Sequence, residues 1–231
     1  MTAFDDVHYV DRAVWLPDQG ALVLADVHLG RARSSRVDLP IGSHADFLER
    51  LEVLLEDHDP DRVVIAGDLV HDFDSVPYGV AETVEELVGL VEARDADVVV
   101  TAGNHDAALD RVTSIDTVPE YALGADTLVH HGHEIPDRDT ERYIIGHDHP
   151  AITIEGSRRP CYLACPDQYE GRDVLVLPAF SRVAVGTTIN GRAATDMMTP
   201  LVTELAACRP IVTTDEEPLV FPPLEKLGRH L

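Results

Sequence analysis

The first half of the chain alternates short apolar runs with helical segments, and this alternation limits the fold more than any other feature. Three segments, at residues 21–25, 62–66 and 97–101, are apolar throughout or at their centres and have the length of strands that are buried on both faces. The segments from about residue 42 to 57 and from about 80 to 94 carry apolar side chains at helical spacing. This strand–helix–strand repeat predicts an α/β fold with parallel pairing at its start.

Residues 7–16 also have the pattern of a strand, and the second half of the chain contains further short apolar runs with little helical pattern. Those runs are residues 127–130, 142–145, 151–154, 161–164 and 173–177. Because turn residues separate them, they predict a second, mixed or antiparallel sheet. We interpret all 231 residues as a single domain, in which roughly the last 20 residues pack along the surface or fray.

The chain carries 42 acidic and 18 basic residues, which gives a formal net charge of −24. The acidic residues are spread along the whole sequence, and Lys226 is the only lysine. Such a composition is typical of halophilic archaeal proteins, because concentrated salt shortens the Debye length to ~3 Å and screens repulsion within an acidic surface. The net charge therefore indicates the salt concentration of the habitat rather than the kind of substrate. It does not exclude an anionic ligand.

No apolar stretch approaches the ~20 residues that cross a bilayer, and the acidic N-terminus lacks the basic region of a secretory signal. These features predict a cytoplasmic protein without a membrane partner. The three cysteines, Cys161, Cys165 and Cys208, are an odd number, and no further pair completes a cysteine-rich zinc site. We expect them to be reduced thiols in or near a core.

Five apolar runs end in short motifs that are rich in Asp, Asn and His. In chain order these motifs are Asp26-Val27-His28, Gly67-Asp68, Gly103-Asn104-His105-Asp106, His130-His131-Gly132-His133 and Gly146-His147-Asp148-His149. Because functional sites of open α/β sheets gather at the carboxyl ends of the strands, we expect the motifs to converge. Carboxylate, imidazole and amide-oxygen groups suit divalent ions such as Mn²⁺, Fe²⁺, Zn²⁺, Ni²⁺ or Co²⁺.

Seven of these side chains are candidate metal ligands, which are too many for one ion and enough for two ions that share a carboxylate. They are Asp26, His28, Asp68, Asn104, His131, His147 and His149. Neighbouring residues of a strand point to opposite faces, so His130 and His131 should not both face the metals, and we choose His131.

In this order, the five motifs resemble those of the calcineurin-like metallophosphoesterase superfamily, and within it the compact ICC-like phosphoesterases of archaea and bacteria. The resemblance extends from Asp26 to His149, somewhat over half of the chain. It implies a four-layer α-β-β-α sandwich of two mixed β-sheets flanked by helices, with a dinuclear metal site at one edge. The implied cofactors are two divalent metal ions, with Mn²⁺ as the first expectation and Fe²⁺, Ni²⁺, Co²⁺ or Zn²⁺ as alternatives.

The resemblance also implies a role for each residue of the motifs. One ion is expected to bind Asp26, His28, Asp68 and His149, and the other to bind Asp68, Asn104, His131 and His147. Asp68 would bridge the two ions. His105 is expected to lie over the substrate phosphate, where it protonates the leaving oxygen or stabilises the transition state, and Asp106 is expected to orient His105.

The activity that the resemblance implies is hydrolysis of a phosphate ester by in-line attack of a metal-bridging hydroxide. A phosphodiester, such as a cyclic nucleotide or a nucleic-acid end, is the first expectation, and a phosphomonoester is the alternative. Some relatives are associated with DNA ligase and helicase neighbours, which suggests a functional link to DNA repair proteins. A catalytically silent metal-binding scaffold is the third interpretation, but it predicts degraded motifs, and here every ligand type is present.

Four further side chains near the motifs are candidates for contact with the substrate: Arg31, Arg33, His71 and His133. The guanidinium groups of Arg31, Arg33 and Arg36 present a planar fork that suits phosphate, although these arginines equally fit a solvated loop that balances local acidity. His71 follows the second motif and could line the site. His133 would contact the substrate or support the metal ligands. The sequence leaves the oligomeric state open.

Overall fold

The structure, a computed structural model, describes residues 4–31, 44–71, 79–111, 113, 115–214 and 217–227. The α-helices with described bounds are α1 (His44–His58), α2 (Val80–Glu92) and α3 (Leu224–Leu227). The strands are β1 (His8–Val10), β2 (Ala13–Leu16), β3 (Ala21–Leu24), β4 (Arg62–Ala66), β5 (Asp97–Thr101), β6 (Thr117–Val118), β7 (Tyr121–Leu123), β8 (Thr127–His130), β9 (Arg142–Ile145), β10 (Pro150–Ile154), β11 (Ser157–Pro160), β12 (Tyr162–Cys165), β13 (Asp173–Val176), β14 (Thr187–Thr188), β15 (Arg209–Val212) and β16 (Leu219–Val220).

Six strands form the first sheet, in the spatial order β1-β2-β3-β4-β5-β6. Strands β3 to β6 run parallel to one another, so the parallel α/β start that the sequence predicts is confirmed. The strand predicted at residues 7–16 is a hairpin instead of a single strand. Asp11 and Arg12 adopt positive φ angles of 32° and 66° and reverse the chain between β1 and β2.

The continuous apolar character of β3 reflects burial on both faces of the first sheet. Because side chains alternate along a strand, Leu22 and Leu24 contact the helical layer, whereas Val23 and Ala25 face the second sheet. The two long helices cover the outer face with side chains at helical spacing. These side chains are Phe47, Leu51, Leu54 and Leu55 of α1, and Val80, Val84, Leu87 and Val91 of α2.

Seven strands form the second sheet, in the spatial order β16-β15-β12-β13-β9-β8-β7. The three strands β8, β9 and β13 are parallel. Val129, Ile144 and Leu175 from these strands share one apolar core with Val64 and Ala66 of the first sheet. The two sheets therefore pack face to face, and the fold class expected from the sequence is confirmed.

The outer face of the second sheet is covered mainly by short elements. A three-stranded sheet with the order β11-β10-β14, single 3₁₀ turns at residues 194–196 and 205–207, and the short helix α3 supply this layer. The layer has little helix, in keeping with the weak helical pattern in the second half of the sequence.

Two of the three cysteines form a disulfide, Cys165–Cys208. The expectation of three reduced thiols is therefore wrong for this pair. The two residues are 43 positions apart in the sequence, and they meet because β12 ends at Cys165 beside β15, which begins directly after Cys208. Cys161 is a buried free thiol.

The C-terminal segment, which we expected along the surface or frayed, supplies the edge of the second sheet. Strand β15 pairs with β12, and β16 pairs with β15, where Leu219 and Val220 are exposed. None of the helices within the described ranges is long and apolar enough to cross a membrane.

Candidate metal centre

The polar motifs converge at one edge of the sandwich, where parallel strands of both sheets end. Asp26, Asp68 and Asn104 lie shortly after β3, β4 and β5, and His131 and His147 follow β8 and β9. Because neighbouring strands are parallel, their carboxyl ends lie side by side within each sheet. The side chains that follow these ends form two groups, which we call the first and the second cluster.

The first cluster consists of Asp26, His28 and His149, whose ligand atoms all lie within 4.8 Å of one another. Nε2 of His149 lies 3.0 Å from Oδ1 of Asp26 and 3.2 Å from Nε2 of His28. One carboxylate oxygen and two imidazole nitrogens thus face a common point. This combination is a donor set for a divalent metal ion.

The second cluster surrounds Nε2 of His131. Oδ1 of Asn104 and Nδ1 of His147 each lie 3.0 Å from that nitrogen, and Oδ2 of Asp68 lies 3.5 Å from it. An amide oxygen, a carboxylate and two imidazoles again suit a divalent ion.

Asp68 lies between the two clusters. The same oxygen, Oδ2, that is 3.5 Å from His131 is 4.0 Å from Nε2 of His28 in the first cluster. The other oxygen, Oδ1, accepts a hydrogen bond of 3.0 Å from the backbone N–H of His105, which fixes the orientation of the carboxylate. One oxygen therefore faces both ligand sets, as a bridging ligand does.

Burial makes the ionised carboxylate of Asp68 unfavourable without a cation, whereas at Asp26 the nearby histidines, His149 above all, outweigh burial and lower the pKa. Asp26 and Asp68 are 0% and 2% exposed, and burial together with the charge of Asp26 raises the pKa of Asp68 to about 8. Oδ1 of Asp26 is buried and accepts no well-aligned hydrogen bond from the described residues. A divalent ion would neutralise both carboxylates and supply a partner for that oxygen, so these residues fit a metal centre.

The imidazoles of His28, His131 and His147 favour the neutral form that binds metals. Burial lowers the pKa of His28 to about 3 and that of His147 to about 4. Nδ1 of His131 lies 3.1 Å from the carbonyl oxygen of Ala66 and, by donating to it, leaves Nε2 unprotonated and directed at the second cluster. Gly67 permits this contact, since a Cβ there would collide with the His131 ring.

Most of the candidate ligands have a left-handed backbone conformation. Their φ angles lie between 46° and 70° at Asp26, His28, Asp68, His147 and His149. Non-glycine residues adopt this region rarely, so surrounding contacts must hold each of them. The N–H of His28 donates to the carbonyl oxygen of Asp68, and the N–H of His147 donates to Oδ2 of Asp26, both at 2.9 Å. The loops that carry the candidate ligands are thus stabilised by hydrogen bonds to one another.

His105 lies beside both clusters, and its ring is held at Nδ1. That nitrogen lies 2.8 Å from the carbonyl oxygen of His71, whose own ring stacks on His105 with the centroids 5.6 Å apart. Nε2 of His105 lies 3.8 Å from Oδ2 of Asp68. With Nδ1 donating to the carbonyl, Nε2 is the atom that faces the site, and burial lowers the pKa of this imidazole.

Asp106 does not have the place that the sequence suggested. Its buried carboxylate accepts hydrogen bonds from the backbone N–H groups of Val70 (3.2 Å) and Gly103 (3.0 Å), and burial raises its pKa to about 6. The expectation that Asp106 orients the His105 ring is therefore corrected, because the carbonyl oxygen of His71 does so. Asp106 instead joins the loops that follow β4 and β5.

Arg31 and His71, two of the candidate substrate contacts, border the first cluster. Burial lowers the pKa of His28 and of His105, and the nearby positive charge of Arg31 is a further cause at both. The ring of His71 lies edge-on to His28, with the centroids 5.4 Å apart. Arg33, like Arg36, lies outside the described residues.

The two remaining histidines of the fourth motif lie in different places. The ring of His133 lies 5.3 Å from the ring of His131, so His133 borders the second cluster. His130 contacts the ring of Tyr143, and its Nδ1 accepts a hydrogen bond of 3.2 Å from the N–H of Gly132. The structure thus brings His131 into the cluster and leaves His130 outside it.

Asp148 and several backbone carbonyl groups support the site, and the sequence did not identify them. The carboxylate of Asp148 is fully buried and accepts hydrogen bonds from the N–H groups of Met198 (2.7 Å) and Thr199 (3.0 Å), which anchors the loop between His147 and His149. Its position between two candidate ligands is a signal that sequence reasoning could have used. The carbonyl groups that orient the imidazoles belong to the backbone and leave no such signal.

Comparisons with known proteins connect this geometry to a family. A segment of 85 residues, 36% of this chain, is 39% identical to the SbcD component of the nuclease SbcCD of Bacillus subtilis (strain 168) and spans only 20% of that protein. The crystal structure of nuclease MPE of Pseudomonas putida is similar with a TM-score of 0.62 and 26% identity, over 92% of this chain and 91% of that chain. The calcineurin-like phosphoesterase model matches residues 21–178, more than half of the chain and all seven candidate ligands. The chain therefore belongs to the calcineurin-like phosphoesterase family.

Proposed function

We propose that this chain is a phosphodiesterase that uses two divalent metal ions. The observation that carries the proposal is the position of Asp68, whose Oδ2 faces His131 on one side and His28 on the other. Hydrolytic sites with two metals hold their ions roughly 3.5–4 Å apart, close enough to share such a ligand. The names of the two relatives, both nucleases, favour a phosphodiester over a phosphomonoester.

The distances divide the ligands between the two ions. Asp26, His28 and His149 would hold one ion, Asn104, His131 and His147 would hold the other, and Asp68 would be shared. Bound by these residues, two divalent cations would supply an activated water and would neutralise the charge that develops on the phosphate. Mn²⁺ is the metal we propose, with Fe²⁺, Co²⁺, Ni²⁺ and Zn²⁺ as alternatives that the same ligand types accept.

We propose that His105 protonates the leaving oxygen of the ester. The ring is held at Nδ1 by the carbonyl oxygen of His71, which leaves Nε2 directed at the centre. In its protonated form this nitrogen donates to the leaving oxygen, and the negative charge of a bound phosphate favours that form against the effect of burial on the pKa. Asp106 positions His105 indirectly, by joining the loops on which the ring and its acceptor lie.

The substrate that we propose is a nucleic-acid end or short oligonucleotide, which the enzyme hydrolyses in the cytoplasm alongside DNA repair proteins. The nuclease relatives support this choice. We also propose a halophilic source. The distribution of acidic residues supports it, because only four described carboxylates are buried: Asp26, Asp68, Asp106 and Asp148. The other described carboxylates are at least partly exposed, where concentrated salt screens their repulsion.

The test is hydrolysis of chromogenic esters in concentrated KCl with Mn²⁺, Ni²⁺, Co²⁺, Zn²⁺ or Mg²⁺. Bis(p-nitrophenyl) phosphate reports diesterase activity, and p-nitrophenyl phosphate reports monoesterase activity. We expect turnover of the diester with Mn²⁺ and a loss of about 100-fold or more in Asp68→Asn. His105→Ala should lose about as much on thymidylyl-(3′→5′)-thymidine, whose alkoxide leaving group needs a proton, whereas p-nitrophenolate leaves without one. Glu52→Gln, on the exposed face of α1, is the matched control and should keep full activity.

Three outcomes of this screen would change the conclusion. Near-normal turnover in Asp68→Asn, or in His105→Ala on thymidylyl-(3′→5′)-thymidine, would remove the mechanism. Fewer than two bound ions per chain, together with no hydrolysis under any of the five metals, would favour the metal-binding scaffold. Faster hydrolysis of the monoester than of the diester would replace the proposed reaction with the alternative one.

A further inference from the structure

A positively charged cavity borders the metal centre. Its volume is about 220 Å³, and its lining includes Arg12, Arg158, Arg182 and the candidate ligand His149. The rest of the described lining consists of proline, alanine and glycine residues, without a carboxylate. In a chain with 42 acidic residues and a net charge of −24, three arginines around one such cavity concentrate positive charge at this place. We call it the arginine cavity.

Two of its arginines are held in place by the surrounding chain. Nη1 of Arg12 donates to the carbonyl oxygens of Ala179 (3.3 Å) and Ser181 (2.9 Å), and Nη1 of Arg182 donates to Oδ1 of Asp46 (3.0 Å). Burial is the main cause that lowers the pKa of Arg12 to about 10, and the positive charges of Arg50 and Arg182 add to it. Each guanidinium has five N–H donors, so both arginines keep donors beyond these contacts.

The third arginine reaches the cavity from the hairpin of β10 and β11. Pro160 pairs with Ala151, and Arg158 lies two positions before Pro160, so all three lie on one face of the hairpin and line the cavity. Arg159 lies between them and therefore on the opposite face, outside the described lining. Both arginines are exposed, which makes Arg159 a matched control for Arg158.

His149 connects the arginine cavity to the metal centre. Its Nε2 lies 3.0 Å from Oδ1 of Asp26 in the first cluster, and its backbone carbonyl accepts the N–H of Thr187 at 2.8 Å. Gly186, which also lines the cavity, approaches this carbonyl so closely that a Cβ would collide with it. A group bound in the cavity therefore lies next to an ester at the first cluster.

We infer that the arginine cavity binds a second phosphate of the substrate, next to the phosphate that is hydrolysed. This inference rests on the proposed phosphodiesterase function and narrows the substrate to a nucleotide chain with at least two phosphates. Guanidinium groups bind phosphate through paired, charge-assisted N–H donors. The cavity is smaller than the roughly 300–1,000 Å³ of pockets for drug-sized ligands, so it suits a phosphate with part of its sugar.

The experiment compares substrates that differ by one phosphate. Thymidine 5′-(p-nitrophenyl phosphate) is hydrolysed with and without a 3′-phosphate, and the isomers with the two ester positions exchanged cover the opposite strand direction. All assays contain Mn²⁺ and concentrated KCl. For one of the two directions, we expect the native protein to have a lower KM for the two-phosphate form. Arg158→Gln and Arg182→Gln should raise that KM about tenfold with little change in kcat, and they should leave the one-phosphate substrate unaffected.

Arg159→Gln should behave as the native protein does with every substrate. The inference is overturned if the native protein shows no preference for two phosphates in either direction, or if Arg158→Gln and Arg182→Gln retain the preference. If no ester is hydrolysed, the proposed function fails, and the cavity is tested by calorimetric binding of thymidine 3′,5′-bisphosphate to the same proteins. Weaker binding to Arg158→Gln and Arg182→Gln than to Arg159→Gln supports the second-phosphate site, and equal binding to all of them overturns it.

Discussion

The substitution Asp68→Asn removes the charge that faces both clusters and keeps the size of the side chain. In the metal-free folded protein, burial and the charge of Asp26 raise the pKa of Asp68 from 3.8 to about 8. In the unfolded chain Asp68 has its ordinary pKa of 3.8, so its carboxyl group releases its proton at a much lower pH than in the folded protein. Between about pH 4 and pH 8 folding therefore takes up a proton, and the contribution of Asp68 to stability falls as the pH rises.

The size of the effect follows from this difference in pKa. Each pH unit in the window lowers the free energy of unfolding by about 1.4 kcal/mol, so the loss at pH 7 is at most about 4 kcal/mol. The asparagine of Asp68→Asn does not titrate, so the variant has no such loss of stability with pH. Its Oδ1 can still accept a hydrogen bond from the N–H of His105. We expect the metal-free Asp68→Asn protein to be more stable than the native protein at pH 7 by roughly 2–4 kcal/mol.

Mn²⁺ should reverse the order of stability of the native protein and Asp68→Asn. An ion at 100 times its Kd stabilises the folded state by about 2.7 kcal/mol, and the native protein would bind two such ions. The variant lacks the ligand that both ions share, so it gains less. The native protein is then expected to be the more stable of the two.

The assay is urea denaturation, followed by circular dichroism in concentrated KCl, at several pH values between about 5.5 and 8. In EDTA, the difference in free energy of unfolding between Asp68→Asn and the native protein should widen by about 1.4 kcal/mol per pH unit up to about pH 7 and more slowly towards pH 8, where folded Asp68 also ionises. Glu52→Gln removes a charge on the exposed face of α1 and should show no such slope. The reasoning is refuted if Asp68→Asn is less stable than the native protein in EDTA, or if the difference does not change with pH.

The remaining predictions concern the metal ligands, the loop after β4 and the acidic surface. His131→Gln should bind fewer than two Mn²⁺ ions per chain by elemental analysis, whereas His130→Gln should retain two. Gly67→Ala should lower the Tm in calorimetry by several degrees, because φ is +74° and the new Cβ would collide with His131; an unchanged Tm would contradict this contact. The Tm of the native protein should rise between about 0.2 M and 3 M KCl as salt screens the surface carboxylates, and a constant Tm would contradict the halophilic interpretation.

The sequence predicts the centre of this fold well, because its central strands are buried on both faces. A run such as 63–66 places Val63 and Ile65 against the helical layer and Val64 and Ala66 against the second sheet, so every position is apolar. The convergence of the motifs follows from the same strands, since parallel strands end at one edge. The alternation of side chains along a strand also distinguishes His131 from His130, because neighbouring residues face opposite sides of the sheet.

The parts that the sequence does not predict depend on backbone conformation and on contacts between distant elements. Nothing in the residue types shows that Asp26 and His28 have left-handed φ angles or that the carbonyl oxygen of His71 orients His105. Cys165 and Cys208 meet through the pairing of β12 with β15, which no local pattern reveals. The arginine cavity draws its cations from a hairpin turn, a strand and a loop that no motif connects.

The acidic surface and the arginine cavity belong to one electrostatic arrangement. In concentrated salt the Debye length is ~3 Å or less, so the net charge of −24 exerts little force on an approaching phosphate. Long-range steering is screened to the same extent, and the groups that decide binding are those in direct contact with the substrate. A cavity with three arginines and no described carboxylate provides such contacts, and it does so beside the centre where metals would neutralise Asp26 and Asp68. For this reason the loss of one guanidinium should change the KM of a two-phosphate substrate even though the protein as a whole stays strongly acidic.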